Sequence, residues 1–376
     1  MKVGHNRRTA SIASIGALAL VLAACGDGGA NGGDGGENGT ASNGELSSLS
    51  GNLTGSGASS FQLAMQEWAI GFPEVTDGAV VDYNAVGSGT GRAEFLANAV
   101  DFAGSDAVMD DEEYQQSTER CGPEGAFHIP TAVLPIAVAA NLPGVDDLNL
   151  TPDAIAGIFA GDITNWNDEA IASLNEGAEL PDTTITVIHR SDDSGTTENF
   201  TEYLADAAPG VWEWEADGSW PGEISAESAD GTSGVVQAAV EQEGAVTYAD
   251  AGQVPGNLTI ANVEVGGEFS ELTPQAAGQA VAASELVEGQ APNNMAFDLD
   301  RDTQEVGAYP IVQVAYTIWC NEYADAETAD LARGFAGYIV SEDAQQIAEE
   351  EAGASPLTPE LRSQAEDSIS QITAGA

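Results

Sequence analysis

Three short segments place serine, threonine and glycine where a strand should end and a helix begin. They are Gly57-Ala58-Ser59-Ser60-Phe61, Gly87-Ser88-Gly89-Thr90-Gly91 and Arg190-Ser191-Asp192-Asp193-Ser194-Gly195-Thr196. A helix N-terminus carries unpaired N–H groups and a partial positive charge, so it attracts anions. Glycine lets an anion approach the backbone, and a serine or threonine adds a hydroxyl. Taken alone, Ser194-Gly195-Thr196 reads as an ordinary helix cap. Three such segments, one beside Arg190, predict a small oxyanion held by several helix ends.

Asp106 ends the apolar run Val100-Asp101-Phe102-Ala103-Gly104-Ser105. A strand-end aspartate is ordinarily a cap or turn residue. Beside an anion it would repel, unless the anion has a proton to donate. Hydrogen phosphate has one and sulfate at neutral pH has none, so a carboxylate here would reject sulfate. His189 neighbours Arg190 on a strand and should face the opposite side. Arg92, in the first turn after a glycine segment, is expected to pair with surface acids.

These residues need a scaffold of strands leading into helices. Segments 80–86, 132–140, 185–189 and 311–319 read as buried strands. Segments 61–72, 90–99, 152–159, 196–205 and 326–339 read as helices. The alternation predicts an α/β fold with largely parallel sheets and ligands beyond the carboxyl ends of the strands. The aromatic stretch 212–220 reads as a packed loop, and Pro292-Asn293-Asn294 as a turn.

The N-terminus has Lys2, Arg7 and Arg8, a short apolar run from Ile12 to Leu22, and Leu22-Ala23-Ala24-Cys25. That is the pattern of a signal peptide, residues 1–24, and the run is shorter than the ~20 residues a membrane span needs. The ending resembles a bacterial lipobox, implying cleavage before Cys25 and lipid on its thiol; an ordinary signal peptide is the alternative. The segment 25–44 is rich in Gly, Asn and Asp, and reads as a tether reaching roughly 24 Å. The chain would then be extracytoplasmic and lipid-anchored to the cell membrane, at the cell surface or in a periplasm. Cys121 and Cys320 would remain as a disulfide pair in an oxidising compartment, with two free thiols or a metal site as alternatives.

Only six arginines follow Cys25, with no lysine, against 61 acidic residues and a whole-chain formal charge of −52. That excludes nucleic acid as a general partner and disfavours anionic lipid headgroups. The acids are scattered, which suits a solvated surface in a salty medium. An anionic ligand must therefore be won by local donors against an adverse field.

From about Leu53 onward the chain resembles the periplasmic phosphate-binding proteins of high-affinity phosphate ABC transporters. The matching segments are those quoted above with Asp101 to Asp106, together with Ile158 to Trp166, Asn167 to Ile171 and Tyr309-Pro310-Ile311. The resemblance implies a two-lobed periplasmic-binding-protein fold of type II, an α/β clamp with its cleft between lobes joined by two crossing strands. Lobe I would hold 45–140 plus 316–376, and lobe II 141–315. It implies phosphate contacts from Ser60, Phe61, Ser88, Asp106, Arg190, Ser194, Gly195 and Thr196, with Asp192 holding Arg190. It also implies no cofactor and no bound metal, inorganic phosphate as ligand, and ABC permease subunits as partners of a monomeric receptor. Two positions depart from the family pattern. Ser60 stands where threonine is common. Asp193 stands where glycine is common, and is expected to keep the turn by tolerating a left-handed backbone and to point to solvent.

Two other binding or catalytic readings compete. One is a receptor for sulfate, molybdate or an organic phosphate. The other is a phosphoester hydrolase, which would need an activating base or metal beside its serine; no Gly-x-Ser-x-Gly elbow surrounds these serines. A surface adhesin would account for the anchor but not for the anion segments. There is no Walker P-loop, so energy for transport would have to come from partner subunits.

Overall fold

The computed structural model describes residues 46–282 and 284–375. The expected signal peptide, Cys25 and the expected 25–44 tether lie outside them. Among the described residues no helix is long and apolar enough to cross a membrane.

In chain order the strands are β1 (Asn52–Gly57), β2 (Val80–Ala85), β3 (Phe102–Ser105), β4 (Ala126–Ala140), β5 (Leu148–Leu150), β6 (Thr186–Arg190) and β7 (Glu227–Ala229). They continue with β8 (Ala245–Asp250), β9 (Thr259–Val265), β10 (Glu268–Ser270), β11 (Glu285–Leu286), β12 (Phe297–Asp298), β13 (Val312–Cys320) and the short parallel pair β14 (Glu322–Tyr323) and β15 (Thr373–Ala374). Eleven of them form one sheet in the order β2-β1-β3-β13-β4-β8-β6-β7, with β9 joined to β4 and flanked by β5 and β10. The antiparallel pair β11 and β12 stands apart.

The sheet is mixed, not largely parallel. β1 runs parallel to β2 and β3, and β6 runs parallel to β7 and β8. Between these groups, β13 is antiparallel to β3 and β4, and β4 is antiparallel to β8. Two long strands that cross between lobes in opposite directions impose that pattern. All 15 residues of β4 and all nine of β13 are buried.

Two main cores lie at the two ends of this crossing pair. One gathers Trp68, Phe72, Phe102, Trp319 and Phe335. The other gathers Ile155, Phe159, Trp166, Phe200, Tyr203 and Tyr309. β4 feeds the first through Phe127 and Ile129 and the second through Ile136 and Val138. Each large side chain fully buried this way contributes roughly 2–3 kcal/mol. Phe102 stacks on Trp319 at 4.8 Å between ring centroids, tying β3 to β13.

The expected strand at 132–140 begins six residues earlier, at Ala126. Pro130 argues locally against a strand, since it cannot donate to a ladder. The register shifts between Ala315 and Tyr316, and Thr131 is left without a ladder partner. The Thr131 hydroxyl bonds the Ala315 carbonyl there at 2.8 Å. A bulge tolerates the proline. β1, with Gly55, Ser56 and Gly57, has too little apolar pattern to read as a strand, yet it is the inner strand between β2 and β3.

Cys121 and Cys320 form a disulfide, with Cα atoms 4.6 Å apart across 199 residues of chain. It joins the end of the helix Asp111–Arg120 to the end of β13. The 212–220 stretch is a packed loop: Trp212 and Trp220 are buried, and Trp220 stacks between His189 and Tyr248. His189 thus faces away from the Arg190 guanidinium.

Candidate functional site

Four strand ends deliver the predicted residues to one place. β1 ends at Gly57 and leads to Ser59, Ser60 and the helix Gln62–Val75. β2 leads to the helix Ser88–Leu96, β3 to Asp106, and β6 to Arg190 and the helix Gly195–Ala207. Two glycines make the approach possible. Gly57 has φ +142°, and a Cβ there would lie 1.9 Å from the Gly104 carbonyl oxygen. Gly87, which caps the second helix, has φ +97°. Both conformations are open to glycine at little cost.

Asp106 lies at the centre and is buried. Its Oδ1 accepts the Ser60 hydroxyl at 2.6 Å, and its backbone N–H donates to Ser88 Oγ at 3.1 Å. Burial pushes its carboxyl up to about 6, opposed by the Ser60 and Ser88 hydroxyls and the charges of Arg190 and Arg92. Gly195 comes from the facing side: a Cβ there would stand 2.5 Å from Ser88 Oγ and 2.9 Å from Asp106 Cβ. The side chain of Thr196 is buried, and its hydroxyl has no hydrogen-bond partner. Ser194 accepts the Thr197 N–H at 3.1 Å, so it is a true N-cap whose own hydroxyl proton remains free to donate. Phe61 is wholly buried at the start of its helix, beside Tyr83.

Arg190 is 3 % exposed. Its Nε donates to Asp192 Oδ1 at 2.7 Å, its Nη2 donates to Asp192 Oδ2, and Nη2 also reaches Ser59 Oγ at 3.0 Å. Nη1 reaches Thr232 Oγ1 at 3.3 Å. Burial pushes Asp192 up, but the Arg190 hydrogen bonds and charge outweigh it and hold the carboxyl below its ordinary range. The pair is a planar, charge-assisted fork that fixes the guanidinium.

The eight predicted contact residues and Asp192 therefore converge. Several neighbours were not anticipated. Ser59 bonds Arg190 and lies 3.1 Å from Thr232 Oγ1. Tyr248 accepts the Arg190 N–H at 3.2 Å and sits 2.7 Å from Thr197 Oγ1. Gln253 donates to the Ser59 and Ser60 carbonyls at 2.9 and 2.5 Å. Asn199 donates to the Asp106 carbonyl at 2.7 Å and the Gly195 carbonyl at 2.8 Å. For Thr232 a signal existed: Gly231-Thr232-Ser233-Gly234 repeats the glycine–hydroxyl pattern at the start of the helix Gly231–Glu241.

Two expectations need correction. Arg92 pairs with acids, but as a buried residue, not at the surface. Its Nε meets Glu113 at 2.9 Å and its Nη1 donates to Ser105 Oγ at 3.1 Å. Asp193 is exposed, but its backbone is not left-handed. Its carboxylate lies so close to Gly89 and Gly218 that a Cβ on either would strike it, and its carbonyl accepts the Gly89 N–H at 3.3 Å. Glycines on the facing segments make room for Asp193, so the turn does not need a glycine of its own.

His128 is a structural group. Nε2 accepts the Met109 N–H at 3.1 Å, so the ring proton is on Nδ1, 2.8 Å from Asn294 Oδ1. Burial lowers its pKa to about 4. Asn293 and Asn294 occupy the expected turn and are buried, Asn293 donating to Asn321 Oδ1 at 2.9 Å.

Known proteins resemble this chain in sequence and in fold. The PBP superfamily domain matches residues 40–343. The phosphate-binding protein PstS 2 of Mycobacterium tuberculosis is 37% identical over 339 residues, covering 88% of this chain and 89% of that one. PstS3 of Mycobacterium bovis is 34% identical over 373 residues, covering 98% and 99%. A high-affinity periplasmic phosphate-binding protein solved with bound phosphate aligns with a TM-score of 0.65 at 21% identity. It covers 83% of this chain and 92% of that chain.

Proposed function

The chain belongs to the PBP superfamily and to its phosphate-binding proteins, and on that premise we propose that it is an extracytoplasmic receptor that binds inorganic phosphate and delivers it to an ABC permease. One observation carries the choice of ligand: a buried carboxylate, Asp106, stands among hydroxyls and an arginine that otherwise suit any oxyanion. With Asp106 ionised, an anion that donates a proton gains a charge-assisted bond, and one that cannot meets a repelling charge.

Ser60, Phe61, Ser88 and Asp106 form the lobe I wall. Arg190, Ser194, Gly195 and Thr196 form the lobe II wall, with lobes divided as 45–140 plus 316–376 and 141–315. Ser60, Ser88 and Ser194 offer hydroxyls, Phe61 and Gly195 backbone N–H groups, and Thr196 both kinds of donor; the Ser194 N–H is already given to the Gly218 carbonyl at 2.9 Å. Arg190, set by Asp192, supplies the charge. Ligand favours the closed form because only that form presents both walls together. Water exclusion on closure strengthens each bond. Lipid on Cys25 and the 25–44 tether would hold the receptor near the permease.

Calorimetric titration of the full chain with phosphate, and separately with sulfate, tests the reading. One-to-one phosphate binding with silent sulfate supports it. Equal binding of both anions would return the site to a general oxyanion receptor.

A further inference from the structure

Asp250 closes β8 and is 1 % exposed. Neither of its carboxylate oxygens has a hydrogen-bond partner, although the N–H groups of Gly252 and Gln253 point its way. Among the described residues no arginine or histidine pairs with it. Tyr248, two residues earlier, reaches Arg190 and Thr197. Side chains two apart on a strand share a face, so Asp250 lies on the face where Tyr248 meets Thr197 at the head of the helix Gly195–Ala207, the helix that brings Gly195 and Thr196 to the lobe II wall. On the next residues, Gln253 bonds the Ser59 and Ser60 carbonyls of the other wall. Asp106 is near enough to act on Asp250 through its charge. Thr196 Oγ1, also buried and unpartnered, lies in the proposed ligand set.

The two acids have opposite surroundings. Asp106 receives a serine hydroxyl and feels Arg190 and Arg92. Asp250 has no cation and faces a second carboxyl, so ionising both at once is strongly disfavoured. Where environments push two carboxyls apart, one serves as base and the other as acid. We propose that Asp250 is a further contact residue of the phosphate site, an uncharged carboxylic acid that donates its O–H to a phosphate oxygen while Asp106 accepts the phosphate proton. This rests on the phosphate-receptor reading above. It gives the site an additional donor in a chain with few basic residues.

Phosphate titration of the full chain, wild type against Asp250→Asn and Asp250→Ala, tests it together with infrared spectroscopy. Asparagine keeps an N–H donor and should bind within about threefold of wild type, whereas alanine should weaken binding roughly tenfold to a hundredfold. The wild-type minus Asp250→Asn difference spectrum at pH 7 should contain the carbonyl stretch of a protonated carboxylic acid, over and above any contribution from Glu198, whose carboxyl burial pushes up to about 7; this readout survives if the alanine variant misfolds. Unchanged binding in Asp250→Ala, or a difference spectrum without that band, overturns the proposal alone. A wild-type chain that binds no phosphate overturns the receptor reading as well.

Discussion

The two walls of the proposed phosphate site are built on different principles. The wall with Ser60, Ser88 and Asp106 has, among the described residues, no cation in contact with the acid: the Ser60 hydroxyl donates to the buried carboxylate at 2.6 Å and the Ser88 hydroxyl stands 3.5 Å from it. The wall with Arg190 has its charge balanced in advance by Asp192. The first wall is suited to reading whether an anion carries a proton, and the second to supplying attraction and orientation. Neither does the other's work, so selectivity and affinity should separate on mutation.

The largest effect is expected from Arg190→Ala. It removes the guanidinium and leaves Asp192 buried beside the ligand without its partner, so phosphate affinity should fall by two to three orders of magnitude, measured calorimetrically. Sulfate should remain rejected. If this variant admits sulfate, the two roles are not divided as described.

Asp106→Asn probes the opposite wall. Sulfate should become a ligand, and phosphate should weaken about tenfold. The same change should stabilise the ligand-free chain. Burial raises the Asp106 pKa from 3.8 to about 6, so between those values the folded state holds a proton that the unfolded state has released. Stability therefore falls as pH rises through that window, and the cost is complete above it. Denaturant unfolding should show a gain of up to about 3 kcal/mol at pH 7 that disappears below pH ~4.

Ser194→Ala should cost about 1 kcal/mol of stability by removing the N-cap of the helix Gly195–Ala207, and should lower phosphate affinity severalfold without changing selectivity. The smallest effect is expected from Asp193→Gly. It removes a carboxylate from the rim of the Arg190 wall, so phosphate affinity should rise by roughly twofold to threefold at low salt and by less at high salt. A salt-independent change would mean that Asp193 acts through the backbone.

Much of this protein is local and therefore readable from residues. A glycine beside hydroxyls at a strand end signals a helix N-terminus whatever the fold, which is why Ser60, Ser88 and the segment from Arg190 to Thr196 stand out. The run 311–319 forms a strand because its mostly apolar side chains need burial on both faces, and all of β13 is buried. The two cysteines formed the expected pair. Other features depend on neighbours far along the chain. β1 looks like a loop until β2 and β3 pair with both its edges. Pro130 is acceptable within β4 only because a bulge falls there. Arg92 looks like a surface arginine until Glu113 and Ser105 enclose it.

The sequence by itself determined which groups could meet an anion, because capping, turn chemistry and side-chain functionality are set within a few residues. Only the tertiary structure decided which of them meet one another. Ser59 with Thr232, Tyr248 with Arg190, Asn199 with Asp106 and the unpartnered Asp250 are brought together across separations of 58 to 173 residues by the pairing of β6 with β8 and the crossing of β4 and β13.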